Sequence, residues 1–388
     1  MHVSVALLLQ LGLVLSALTL LGSLARRIQL SPIPLYLIAG LALGEGGVAQ
    51  VPAAAEFLQT GATIGVVLLL LTLGLQFSVG EFAVSMRRQL PSAGVDVLLN
   101  AAPGAVAGWL LGMDAVGMLA MAGITYVSSS GMVSQLLTDL RRLGNRETPA
   151  VLAVLVLEDF SMAAYLPLLT VLAAGGSAAA AVLSMVIAVG ALTLAFVASY
   201  RWGHHMGRLL AHPDPELLLL RVLGLTLVVA ALAEWVHASA AVGAFLVGLT
   251  LSGETAERAR MLMIPLRDLF AAVFFVAVGL ATNAEKLVPM LSVAVALALI
   301  TAVTKVAAGG FAARLDGVGR PGELRAGTAL VMRGEFSLVI IGLVGATHEV
   351  VEAIATPYVF ILAFLGPALA RAAGHPRVTG MLGVRPPG

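Results

Sequence analysis

Apolar stretches of about 20 residues follow one another along the whole sequence, each long enough to cross a hydrocarbon core about 30 Å thick. Thirteen such segments are read, near 3–24, 32–44, 57–75, 91–112, 114–138, 148–172, 178–200, 216–235, 238–252, 262–281, 287–313, 322–346 and 354–371. The second and ninth are short for a full span. Between them nothing has the composition of a water-soluble unit. Charged residues make up 11% of the 388 residues, against roughly 25% in a soluble domain. The expectation is an all-α membrane protein: one transmembrane domain over residues 1–371 and a short cytoplasmic tail over 372–388. The first segment lacks a basic start and a small-residue cleavage site, so it is read as a retained helix rather than a signal peptide. The absence of cysteine excludes disulfides, thiol catalysis and zinc–thiolate sites, and no resident cofactor is expected.

The basic residues provide a test that hydropathy does not use. Numbered alternately, one set of loops together with the tail holds 19 of the 22 Lys and Arg, from Arg26 and Arg27 through Arg141, Arg142 and Arg146 to Arg371, Arg377 and Arg385. The other set holds Lys286 alone. Cytoplasmic loops collect Lys and Arg, so the N-terminus is expected outside and the C-terminus inside. The preponderance of Arg over Lys, with abundant Ala and Gly, points to a GC-rich bacterial genome and hence an inner membrane. A net charge of +1 gives no sign of a nucleic-acid partner.

Two basic residues, Lys305 and Arg333, fall inside apolar segments instead. Glu158, Asp159 and Glu335 do so as well. A charge at bilayer depth costs at least about 2.5–3.5 kcal/mol on insertion scales and usually marks a transport pathway. Two cations against three carboxylates leave one negative charge if all ionise, which suits one monovalent cation or one proton in its place. Burial opposes ionisation of a carboxylate and a nearby cation promotes it, so proton and cation can compete for the same oxygens. Structural ion pairing is the competing reading, and Arg333, always protonated, fits it best. Lys305 can lose its proton when buried and so is the better candidate for coupling. Glu335, two residues from Arg333, would pair with it only if the helix is broken there.

Breaks are expected at ITYVSSSGMVSQ, which holds Thr125, Ser128, Ser129, Ser130 and Gly131, and around Gly334 and Ser337. Interrupted helices in corresponding places of two halves point to a midplane ion site; close packing of small residues is the equally weighted alternative. Asp96 and Asn100, four apart on one face, either line the cytoplasmic approach or mark the interface, the second being preferred. His204, His205 and His212 are placed in a cytoplasmic loop, where solvation is favoured over pH sensing.

These strings resemble the monovalent cation:proton antiporter-2 family over nearly the whole sequence. The carriers are SPIPLYLIAGLALGEGG, YVSSSGMVSQLL, LEDFSMAAYLPLL, ASAAVGAFLVGLTLS, IPLRDLFAAVFFVAVGLATN and RGEFSLVI. The resemblance implies an inverted repeat with two crossed discontinuous helices, and a homodimer with an elevator-like core. Dimerisation helices would lie near 3–75 and 216–281, core helices near 91–172 and 287–371. It also implies Asp159 as the cation- and proton-binding carboxylate, Glu158 in the preceding acidic position, Lys305 as ion-pair partner and the three serines near the crossing. Glu158 departs from the Asp or Gln of well-known members.

The expected function is exchange of Na⁺ or K⁺ for H⁺ across the lipid bilayer. The alternatives are a K⁺ efflux protein gated by a separate cytosolic subunit and an organic-anion symporter on the same scaffold. Neither an HExxH string nor a convincing catalytic set supports an enzyme.

Overall fold

A computed structural model of the chain describes residues 5–27, 32–44, 47, 50–75, 79–235, 240–251, 253–281, 290–344 and 347–375. Among these, every regular element is an α-helix. They are α1 (Val5–Arg27), α2 (Ile33–Leu43), α3 (Pro52–Gly74), α4 (Val79–Leu110), α5 (Ala115–Tyr126), α6 (Ser130–Asp139), α7 (Thr148–Ala173), α8 (Ala178–Leu210), α9 (Pro215–Trp235), α10 (Ala240–Thr250), α11 (Gly253–Leu280), α12 (Leu291–Leu315), α13 (Arg320–Ala329), α14 (Glu335–Val344) and α15 (Glu349–Ala373). Nine helices among the described residues are long and apolar enough to cross a membrane, with α5 and α6 counted as one. Lys286 and the C-terminal tail from residue 376 lie outside the described residues.

Several boundaries differ from the hydropathy reading. The segments near 114–138 and 322–346 are each two half-helices, α5–α6 and α13–α14, separated by a few extended residues. The fourth segment starts at Val79 and carries Pro91 and Pro103 in its interior. Proline removes a backbone hydrogen bond but does not end a helix that its neighbours support. Helix α8 continues to Leu210, so His204 and His205 are helical rather than in a loop. His212 does lie in the following turn, where its Nδ1 accepts from the Asp214 N–H at 3.1 Å.

Helices α2 and α3 pack against α11, and α3 and α9 against α10. One apolar cluster there contains Val67, Leu71, Val222, Ala244 and Met263. A separate cluster containing Ile124, Leu297, Ile340, Tyr358 and Leu362 binds α5, α12, α14 and α15 together. A third, with Leu70, Met132, Val154, Phe245 and Phe274, joins the two groups. Helices α12 and α13 meet backbone to backbone, since a Cβ added to Gly309 would lie 2.7 Å from the Gly327 Cα. Large apolar side chains such as Leu98, Trp109, Leu194 and Val303 stand exposed on the outside. Such a surface suits lipid and is costly in water.

Candidate functional site

The two helix breaks touch. Val127 and Ser129 take extended backbone conformations, and the Ser129 N–H donates to the Met332 carbonyl at 2.9 Å. Small hydroxyl residues favour such a break because their side chains offer the backbone other partners. Ser129 does so as the cap of α6, its Oγ accepting from the Met132 N–H. Ser128 Oγ reaches the Leu330 carbonyl at 2.8 Å, and Ser337 Oγ the Ile124 carbonyl at 3.2 Å. Glycine is required opposite: a Cβ on Gly334 would lie 2.5 Å from Ser129 Oγ.

Helices α5 and α13 both end at the crossing, and a helix C-terminus carries the partial negative charge of its free carbonyls. Arg333, fully buried, covers both ends. Its guanidinium donates to the Thr125 carbonyl from Nε at 3.2 Å and Nη2 at 2.8 Å. Nη1 donates to the carbonyls of Leu330 and Val331, each at 3.1 Å. A planar fork of donors suits converging carbonyls. The buried cation of the second break is thus bound by backbone. Glu335 opens α14, and its side chain lies outside the described residues.

Glu158 and Asp159 are neighbours on α7 and, being about 100° apart around the helix, face different partners. Glu158 accepts from the Ser128 N–H at 2.5 Å and from Lys305 Nζ at 2.7 Å. Asp159 turns to the start of α6, where Ser130 Oγ lies 3.1 Å from both carboxylate oxygens. Both carboxylates are 1% exposed. The N-terminus of α6 brings a partial positive charge there. Of the three serines, then, Ser128 holds Glu158, Ser129 caps α6 and Ser130 contacts Asp159. Thr125 contributes its carbonyl; its hydroxyl donates back to the Met121 carbonyl at 3.0 Å.

Asp96 is the residue that the sequence reading misplaced. It is 2% exposed, not interfacial, and both its oxygens accept from Lys305 Nζ at 2.8 Å. Asn100 Nδ2 donates to Asp96 Oδ1 at 2.8 Å, and Thr304 Oγ1 donates to Asn100 Oδ1 at 2.8 Å. The physical reason is the boundary: with α4 beginning at Val79, Asp96 sits mid-helix rather than one turn from its end. The signal in the sequence is an Asp with an amide four residues on along one helix face, a spacing at which the two side chains meet. Lys305 therefore lies between two carboxylates, with the Tyr126 carbonyl as a further acceptor at 3.0 Å. Among the described side chains three carboxylates, Asp96, Glu158 and Asp159, stand against Lys305 and Arg333, so Asp96 takes the place that the sequence count gave to Glu335, whose side chain lies outside them.

Known proteins resemble this chain along its length. A model of the transmembrane sodium/hydrogen exchanger family matches residues 13–371. The chain is 30% identical over 376 residues to the K⁺/H⁺ antiporter subunit KhtU of Bacillus subtilis, covering 94% of this chain and 93% of that protein. It is 25% identical over 362 residues to the ammonium/H⁺ antiporter subunit AmhT of Alkalihalophilus pseudofirmus, covering 92% and 90%. Its fold matches the sodium proton antiporter MjNhaP1 of Methanocaldococcus jannaschii with a TM-score of 0.67 at 16% identity, over 97% and 98% of the two chains. The chain belongs to the sodium/hydrogen exchanger family of membrane transporters, in agreement with the resemblance carried by its motifs.

Proposed function

We propose that this protein exchanges a monovalent cation, K⁺ or Na⁺, for protons by alternating access, with Asp159 holding the cation and the proton in turn. The observation that carries this reading is the division of labour between adjacent carboxylates. Glu158 is engaged by Lys305 and a backbone N–H, whereas Asp159 faces a helix break and a serine hydroxyl. Extended backbone and hydroxyls at a helix crossing supply oxygens that can replace the hydration of a cation. The surplus charge of the cluster matches one monovalent cation or one proton. Relatives named for K⁺, ammonium, and Na⁺ with K⁺ fit the same substrate class.

On this reading the fifteen helices form thirteen spans, α5–α6 and α13–α14 being single interrupted ones. The two interruptions belong to the halves of an inverted repeat. The N-terminus lies outside a bacterial inner membrane. Helices near 91–172 and 287–371 form the moving core, and those near 3–75 and 216–281 a homodimer interface. The separate apolar clusters of the two groups support this division. A separate regulatory subunit also has support, because KhtU and AmhT are each named as a subunit.

The test is exchange in proteoliposomes with Na⁺, K⁺, Rb⁺ and Li⁺ compared, with and without a clamped membrane potential. Asp159→Asn is expected to abolish cation-dependent proton movement while the protein still inserts and folds. Wild-type exchange in that variant would refute the assignment.

A further inference from the structure

We propose that the groove between the arginine-bearing ends of α12 and α13 is a binding site for one anionic phospholipid. The groove is a cavity of about 550 Å³. Its walls are Val306, Ala307, Gly310 and Phe311 from α12 and Leu324 from α13, and its rim carries Arg314, Arg320 and Glu323. Ala307, Arg314 and Arg320 of its lining are exposed at the surface.

Charge selects the ligand. Glu323 accepts two bonds from Arg314, at 3.1 and 3.0 Å. Arg320 is the first residue of α13 and is exposed. The rim therefore holds two guanidinium groups against one carboxylate, a net charge of +1. That complements a single phosphodiester, and guanidinium recognises phosphate oxygens in bidentate fashion.

Continuity selects a lipid over a free anion. Below the groove the exposed face of α12 runs on through Ala307, Val303, Ile300 and Leu299. These positions fall on neighbouring turns of one helical face, so the apolar floor extends from the charged rim as an acyl-chain track. A phosphate alone would use the rim and leave the track unexplained. Small residues make the groove possible: Gly309 and Gly327 let α12 and α13 touch, and Gly310 leaves its floor low.

The position matters for the rest of the molecule. Helix α12 carries Lys305, and α13 leads directly to the break at Leu330–Gly334. A lipid bridging their ends would clamp the helix that holds the buried ammonium to the half-helix that holds the crossing. This proposal does not depend on which cation is carried, or on the role of Asp159.

The experiment uses purified full-length protein in a neutral detergent. Phosphatidylglycerol, phosphatidylcholine and inorganic phosphate are titrated in separate arms, with melting midpoint and bound lipid (by native mass spectrometry) as readouts. Phosphatidylglycerol is expected to bind saturably and raise the midpoint. A basic residue near a membrane surface is worth about fivefold in affinity for anionic lipid. R320Q should therefore weaken phosphatidylglycerol binding about fivefold and R314Q/R320Q about 25-fold, while E323Q tightens it. R320Q, whose side chain has no partner among the described residues, keeps the test decisive where the double variant fails to fold. The proposal is overturned if phosphatidylcholine binds as well as phosphatidylglycerol, if phosphate alone reproduces the shift, or if R320Q binds phosphatidylglycerol like the wild type.

Discussion

The two helix breaks lie against each other yet are built from opposite chemistry. The first, Val127–Ser129, offers backbone N–H groups and hydroxyls, and its partners are the carboxylates of α7. The second, Leu330–Gly334, offers carbonyls and supplies its own cation, Arg333, to bind them. Arg333 also covers the carbonyl end of α5, so one guanidinium neutralises a half-helix from each break. The second break thus has its carbonyls met by its own arginine and by Ser128 and Ser129 of the first, while the first turns its remaining donors to two carboxylates. Two adjacent carboxylates repeat the lesson on a smaller scale: identical chemistry one residue apart acquires different work from what each faces.

The largest effect should come from Arg333. Replacing it with Leu takes the guanidinium from the buried carbonyls of Thr125 and Val331 and leaves Leu330 with Ser128 Oγ alone, at about 1–3 kcal/mol for each unsatisfied group. Arg333→Leu should show a collapsed melting midpoint and little folded protein. A variant that melts like the wild type would break the comparison, because the second break would then not need its own cation.

Next come the partners of Lys305. Asp96→Asn and Lys305→Gln remove the two sides of one buried contact, and residues in direct contact couple by about 0.5–3 kcal/mol. A double-mutant cycle on melting free energy should give a coupling in that range. Additive effects would mean that Asp96 does not share Lys305 with Glu158.

The serines sharpen the contrast within the first break. Ser128→Ala loses a bond to the Leu330 carbonyl and should cost about 1 kcal/mol in stability, with little change in cation concentration dependence. Ser130→Ala should do the reverse, moving the apparent cation affinity in proteoliposomes and scarcely the melting point. The opposite pattern would exchange their roles.

The smallest effects lie in two ion pairs at the outer ends of the broken helices, one to the start of α7 and one to the start of α15. At one face Glu147, just before α7, accepts two bonds from Arg325 of α13, at 2.6 and 3.0 Å. At the other, Asp114, the cap of α5, lies 2.9 Å from His348 Nε2 beyond α14. Burial raises the Glu147 proton affinity, but the bonds from Arg325 and Asn145 outweigh it and hold its carboxyl below the ordinary value. The Gly117 N–H, and then His348, lower that of Asp114. A carboxylate with a lowered folded value stabilises above its ordinary value and loses that contribution as pH falls through the lowered one. Melting points of the wild type should therefore drop in acid more steeply than those of Glu147→Gln, because the Glu147 carboxyl is buried and little screened by solvent. Asp114→Asn, at a more exposed site, should flatten the acid limb less. Identical acid limbs in all three proteins would remove these ties.

Much of the site was legible before any coordinates. Glu158, Asp159, Lys305 and Arg333 announce themselves because an ionised group inside an apolar run is too costly to be incidental. The serine string and Gly334 announce the breaks, since these residues weaken a helix by local rules. What each charge touches was not legible. Arg333 invites pairing with a carboxylate, and its partners are carbonyls, which every residue possesses and no letter marks. Asp96 was placed at the interface because hydropathy begins the fourth segment at Pro91, whereas the helix passes through that proline to Val79.

The order of the letters by itself determined the membrane class, four of the buried charges and the points where helices break, because cost of burial and local backbone preference act over a few residues. Tertiary structure alone decided the partners: that Lys305 meets Asp96 across 209 positions of sequence, and that one guanidinium closes two helix ends. Such pairings depend on which faces of distant helices come together at one depth, a property of packing that no short stretch of sequence carries.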